Sequence, residues 1–186
     1  MAVEAARGFG DGADMLISLH DYTWIPSNGI ARFMESCGPR TLTAGVCHHA
    51  AGPTMEDVKD RNGLYTIFAE PFSGKPEGIG WNDCRHSSGA GVKACDTIHF
   101  EPPWAAIGKE ALYDERLYFD EAFDTAFRYE NQDYAFRAKS LGYEIMVDHQ
   151  NEAIQLPHWL YFPKDYADHN AGQEVNRAKI KERWGA

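Results

Sequence analysis

At 186 residues, 44% hydrophobic and 13% aromatic, the chain can bury one substantial core and lacks the composition of a disordered protein. Its formal charge of −10, from 28 acids against 18 bases, opposes a phosphate backbone and so argues against nucleic acid as a partner. Apolar runs such as Met15 to Leu19 are far too short for a transmembrane segment, and Met1 to Gly10 shows neither the basic nor the apolar region of a secretory signal.

A single domain over 1–186 is therefore expected. Asp14 to Leu19 reads as a buried strand set off by Gly10-Asp11-Gly12. A polar and aromatic loop follows from His20 to Pro26, and Ser27 or Asn28 is placed to cap the next helix. In that helix Ile30, Phe33, Met34 and Cys37 recur at i, i+3, i+4 and i+7, one apolar face, before Gly38-Pro39 stops it. Leu42 to Cys47 is a second strand. Strand, helix and strand at this length predict a βαβ unit with parallel strands in an α/β sheet.

A third strand is expected at Leu64 to Ala69. Residues 71–97 hold five glycines and two prolines and read as a long functional or mobile loop. Glu130 opens a helix with acids in its first turn, an Asp133–Arg137 pair at i, i+4, and an apolar stripe of Tyr134, Ala138 and Leu141. Gly142 suits the position just past its end. The strand Tyr143 to Val147 comes next, with Tyr143, Ile145 and Val147 on one face. Residues 171–184 form a weakly amphipathic helix, expected to pack through Val175 and Trp184.

Cys37, Cys47, Cys84 and Cys95 form no C-x-x-C pair, and a chain of this size needs no covalent staples. The expectation is four reduced thiols and a cytoplasmic location. A zinc site from Cys47, His48, His49, Cys84 and His86 fits no common spacing, and adjacent histidines on a strand point to opposite faces.

Three places are candidates for chemistry. Asp21 follows the carboxyl end of a strand, where open α/β sheets hold their ligands; the plainer reading is a turn-capping aspartate. Glu130 and Asp133 are either site acids or ordinary acids favoured by the helix dipole. His158, in Leu156-Pro157-His158-Trp159, is a metal ligand or a lone surface or core histidine.

Taken in order, these segments resemble GT-A fold glycosyltransferases of the family 2 kind. Leu16 to Pro26, with His20-Asp21-Tyr22 at its centre, is similar to the family's strand and metal-binding Asp-x-Asp turn. Tyr118 to Phe123 resembles its FDE-x-F segment. Tyr129 to Arg137 with Leu141-Gly142-Tyr143 looks like the helix that carries the catalytic acid. His158 falls where many members have a metal-ligating histidine, and Asn176 with Trp184-Gly185 is like the family's N…KW close.

The resemblance implies a partial GT-A, Rossmann-like mixed sheet flanked by helices and lacking the first βαβ strands, since only Met1 to Ala13 precede the metal-binding turn. It implies transfer of a sugar from a nucleotide-diphosphate donor to a glycan or other hydroxyl acceptor, assisted by Mn²⁺ or Mg²⁺. Asp21 and His158 would be the metal ligands, Glu130 or Asp133 the catalytic base, and His20, Tyr22, Trp104 and Asn131 substrate-binding residues. Trp104 after Glu101-Pro102-Pro103 offers either a flat face to a sugar or a core side chain.

Two departures bear on activity. The Asp-x-Asp motif is reduced to His20-Asp21-Tyr22, and Asn131 stands where the family has its usual catalytic aspartate. With the missing first strands, they predict impaired transfer, weak donor binding and an exposed sheet edge that favours a homo-oligomer. The rivals are a non-catalytic sugar-binding module and a metal-dependent phosphohydrolase, the latter suggested by the His20-Asp21 pair.

Overall fold

A computed structural model of the chain describes residues 12–20, 23–49, 91–95, 104–123, 129–155 and 166–185. In chain order the elements are β1 (Met15–Leu19), β2 (Thr23–Trp24), α1 (Gly29–Ser36), β3 (Thr41–His49), β4 (Val92–Ala94), β5 (Trp104–Gly108) and α2 (Lys109–Tyr113). A 3₁₀ turn (Glu121–Phe123), α3 (Glu130–Ser140), β6 (Glu144–Gln155) and α4 (Tyr166–Trp184) complete them. The fold is α/β, with a mixed sheet of order β1-β5-β3-β6-β2 in which β4 also pairs with β6. No helix among the described residues is long and apolar enough to cross a membrane.

The predicted strand–helix–strand unit forms, but its two strands are not neighbours. β5 lies between β1 and β3 and is antiparallel to both, so β1 and β3 run the same way one strand apart. β5 is buried along all five residues, and its side chains divide between the faces. Ala105 and Ile107 join a larger cluster with Leu42, Ala44, Ile145, Val147, Tyr134 and Ala138. Trp104 and Ala106 join a smaller one with Phe33 and Ala153. That alternation is the period-2 geometry of a strand covered on both sides.

β3 and β6 are parallel through most of the sheet's width, from Thr41 opposite Glu144 to His49 opposite Gln155. Their register jumps between Gly45, opposite Asp148, and Val46, opposite Glu152, which leaves 149–151 as a bulge. Gly45 is required there: an added Cβ would overlap the indole of Trp104 and come 2.6 Å from the Asn151 carbonyl oxygen. The bulge is lined with satisfied polar groups. The Asn151 amide donates to the Gly29 carbonyl (2.9 Å) while its oxygen accepts from the Trp104 indole N–H (3.1 Å). Asp148, fully buried, accepts from Arg32 through Nε (3.1 Å) and Nη2 (2.6 Å). β6 therefore continues eight residues past the predicted end at Val147, because tertiary partners satisfy its polar side chains.

Several other expectations are corrected. The stretch read as a loop over 71–97 contains β4, which pairs Val92, Lys93 and Ala94 with Asp148, Val147 and Met146. The loop from His20 to Pro26 contains β2. In α1, Phe33 is buried against Trp104 with ring centroids 4.5 Å apart, yet Ile30 and Met34 are 52% and 69% exposed, so the apolar face is covered on one side only. Asn28 occupies the N-cap position without a side-chain capping bond. In α4 Trp184 packs on Phe136 as expected, but Val175 is 54% exposed, and among the described side chains Asn176 and Ile180 are the buried ones. Cys95 is disulfide-bonded and Cys37 is a free thiol, so the expectation of four reduced cysteines does not hold. The expected strand at Leu64 to Ala69 and most of the loop lie outside the described residues.

The end of α3 matches its prediction closely. Gly142 takes φ +80°, and the N–H groups of Gly142 and Tyr143 donate to the carbonyls of Lys139 and Ala138, both at 3.0 Å. This pair of bonds closes the helix and turns the chain into β6, a turn that favours glycine because an L side chain is strained at that φ. Tyr143 and Ile145 then point into the larger core with Val147, as their spacing predicts.

Candidate functional site

Because β1, β3 and β6 run in one direction, their carboxyl ends lie at one edge of the sheet. Ligand sites of open α/β sheets form at that edge. Two of the sequence candidates follow strands that end there. Asp21 comes two residues after the end of β1, and His158 comes three residues after the end of β6. Both, with Tyr22, lie outside the described residues. The described chain beside them is close together nonetheless: Thr23 is the cross-strand partner of Gln155, so the position two residues after Asp21 neighbours the position three residues before His158. Among the described residues no group of three or more His, Cys, Asp or Glu side chains is arranged to hold a metal ion. His20, at the end of β1, is half-buried.

The helix α1, which follows β2, is fixed to the sheet. The bonds from Asn151 to the Gly29 carbonyl and from Arg32 to Asp148 tie the first turn of α1 to the β6 bulge. Arg32 also donates to the Gln150 side chain at 3.2 Å. These contacts were not foreseeable from α1 or β6 taken alone, since the partners are more than a hundred residues apart. Trp104 belongs to this scaffold. It is 0% exposed, packed on Phe33 and bonded to Asn151, so it is a core side chain and presents no face to a sugar.

Glu130 and Asp133 share the first turn of α3 but differ in their surroundings. Asp133 is 0% exposed. Its Oδ2 accepts from Arg137 Nη2 (2.8 Å), and its Oδ1 accepts from Arg183 Nη1 (2.9 Å) and Trp184 Nε1 (2.8 Å). A carboxylate holding three charged or polar donors in the interior is committed to structure, and a base must accept a proton from substrate. Asp133 is thus removed as the acceptor of a substrate proton. Glu130 and Asn131 are half-buried at the start of the helix.

The residue before Glu130 carries backbone strain. Tyr129 has φ +79° and ψ −14°, in the left-handed region, and no other non-glycine residue among those described has a positive φ. Such a conformation costs about 1–3 kcal/mol for a side chain of this kind and persists where surrounding contacts over-determine it. Its amide-linked neighbour is Glu130, the first residue of α3.

Around Asp133 the charges balance. Asp120 accepts from Arg183 at 2.7 Å and lies 3.7 Å from Arg137, making two carboxylates against two guanidiniums. The Ala122 N–H, followed by Arg183 and Arg137, holds the Asp120 carboxyl below its ordinary pKa despite partial burial. The Arg137 guanidinium lies 4.1 Å from the Tyr118 ring centroid, a cation–π contact. Farther off, the Arg116 guanidinium, with smaller help from the Tyr143 hydroxyl, holds Asp114 well below the carboxylate range against the opposing effect of burial.

No protein-family model matches the chain, and no curated protein matches it at a significant level.

Proposed function

We propose that the chain is a glycosyltransferase-like protein of the GT-A kind. It would transfer a sugar from a nucleotide-diphosphate donor to an acceptor hydroxyl, with Glu130 as the general base. The observation that carries the proposal is the strained Tyr129 link at the head of α3. It stands next to Glu130, on the helix whose sequence resembles the family's catalytic segment, and backbone strain of this kind gathers at functional sites. The common carboxyl edge of β1, β3 and β6, and the pairing of Thr23 with Gln155, support placing donor chemistry at that edge.

In this reading Glu130 takes the acceptor hydroxyl proton as the oxygen forms a bond to the anomeric carbon and the bond from that carbon to the diphosphate oxygen breaks. Asp21 and His158 would hold Mn²⁺ or Mg²⁺, oxygen and imidazole donors that suit Mn²⁺. When bound, the cation offsets the charge of the departing diphosphate. Asn131, one residue on, has no basic lone pair for the proton, so it binds or orients substrate. The change from the family's aspartate at Asn131 also favours a second reading, a sugar-binding module without transfer. Incubation with a panel of UDP-, GDP- and dTDP-sugars, Mn²⁺ and simple acceptors, read by mass spectrometry, tests the choice. A donor-dependent product supports transfer, and glycan binding without product selects the module. Release of phosphate from a simple ester, with neither, selects a phosphohydrolase.

A further inference from the structure

The last turn of α4 lies far along the chain from Glu130, yet it meets the helix turn that bears it. Arg183 and Trp184 both donate to the buried Asp133 Oδ1, one turn from Glu130. The Trp184 ring also stacks on Phe136 of α3, with centroids 5.8 Å apart and planes within 18°. The other end of this contact is fixed as well: Asn176 donates to the Phe123 carbonyl at 3.3 Å, Lys179 donates to that of Ala122, and Arg183 joins Asp120. The first turn of α3 is therefore restrained both by its own Arg137 and by the end of α4, whose charges meet again at Asp120. Immediately before it stands the one strained non-glycine residue described, Tyr129.

From these contacts we infer that Asp133 is a positioning residue and that α4 is the strut acting through it. Its bonds to Arg183 and Trp184 hold the first turn of α3 against the pull of the Tyr129 backbone, and so fix the direction of Glu130. A left-handed tyrosine relaxes once the surroundings no longer over-determine it. Loss of the α4 bonds lets the turn fray, because the first turn of a helix has the fewest backbone restraints. The aromatic stack on Phe136, kept by a phenylalanine at 184, would hold the helices in apolar contact, so the effect is local. The inference rests on the proposed role of Glu130 for its kinetic consequence only; its structural consequence can be measured without any activity.

The decisive variant is Trp184→Phe, which keeps the ring on Phe136 and removes the N–H donated to Asp133. Asp133→Asn is the stronger companion, and Arg177→Ala, on the exposed side of α4, is the control. Amide hydrogen exchange on the full chain reads the strut directly. Trp184→Phe is expected to speed exchange at Asp133 and Tyr134, the first amides bonded within α3, by about tenfold or more, as expected for one lost bond to a charged group. Exchange in β3 and β6 stays unchanged. In transfer assays the same variant lowers kcat by about ten- to a hundredfold, the effect of a misplaced reacting group. The donor KM stays within about twofold, as only the reacting geometry is lost. Arg177→Ala changes neither.

Unaltered exchange at Asp133 and Tyr134, or acceleration spread evenly over the sheet, overturns the inference. A rise in donor KM with kcat retained also overturns it, because the strut would then shape the donor pocket. A wild-type chain without transfer refutes the glycosyltransferase reading, and the exchange result still decides the strut.

Discussion

Replacing Asp148 by asparagine tests how the scaffold behind the Asp21 turn is held. Asp148 is wholly buried, and Arg32, 22% exposed, makes two bonds to it. Its Oδ1 also accepts from the Gln150 backbone N–H at 3.0 Å. Removing one partner of a buried pair costs about 3–5 kcal/mol, most of it from the charge left behind. Here the guanidinium can take up water at its exposed side, and asparagine keeps one acceptor for it. The expected loss is therefore about 2–3 kcal/mol. For a domain of this size that lowers Tm by about 4–12 °C. Urea unfolding followed by circular dichroism measures it, with the slope of the transition unchanged. The double variant Arg32→Met with Asp148→Leu should recover most of the loss, since apolar isosteres of a buried pair are close to neutral. A loss below about 0.5 kcal/mol in the asparagine variant would place the pair with surface charges, and the account of the bulge would fail.

Two further outcomes follow from the described contacts. Cys95 is in a disulfide while Cys37 is free, so thiol titration of the unfolded, unreduced chain should find at most two of the four cysteines reactive, and four after reduction; four before reduction would contradict the disulfide. The depressed pKa values of Asp114 and Asp120 mean that both carboxylates stabilise the fold above their ordinary value of 3.8, and that this contribution is lost as pH falls from there through their lower folded values. Denaturation measured between pH 5 and pH 2 should show stability falling in that window, and Asp114→Asn should flatten the fall; an unchanged pH slope in the variant would show that the Arg116 and Tyr143 bonds are not formed in solution.

Much of the local structure could be read from short-range patterns. The apolar run Met15 to Leu19, the i, i+4 pair Asp133–Arg137 and the glycine after α3 all depend on neighbours within one turn or one strand. The arrangement of β1 and β3 was only half legible. Their common direction follows from strand, helix and strand, but the antiparallel β5 between them comes from residues 104–108, whose pattern does not say where they insert. The polar run Asp148 to Asn151 carries no strand pattern of its own, and the sequence does not show that Arg32, Gly29 and Trp104 meet it. Site residues divide on the same line. Glu130 stands out locally, through the helix start and the resemblance around it. The commitment of Asp133 depends on Arg183 and Trp184, fifty and fifty-one residues away, and no local signal marks them as its partners. The spacing of Ile30 and Met34 correctly predicts a helix but not which side of it meets the sheet.

The proposed sugar transfer depends on Glu130 as its base. Comparing the wild-type chain with Glu130→Gln, by transfer rate and by calorimetric donor binding in Mn²⁺, tests it most directly. Donor-dependent product is expected from the wild type, and a rate lowered by about a hundredfold or more from the glutamine variant, with donor affinity unchanged. A glutamine variant that transfers as fast as the wild type, or a wild type that makes no product, would contradict it.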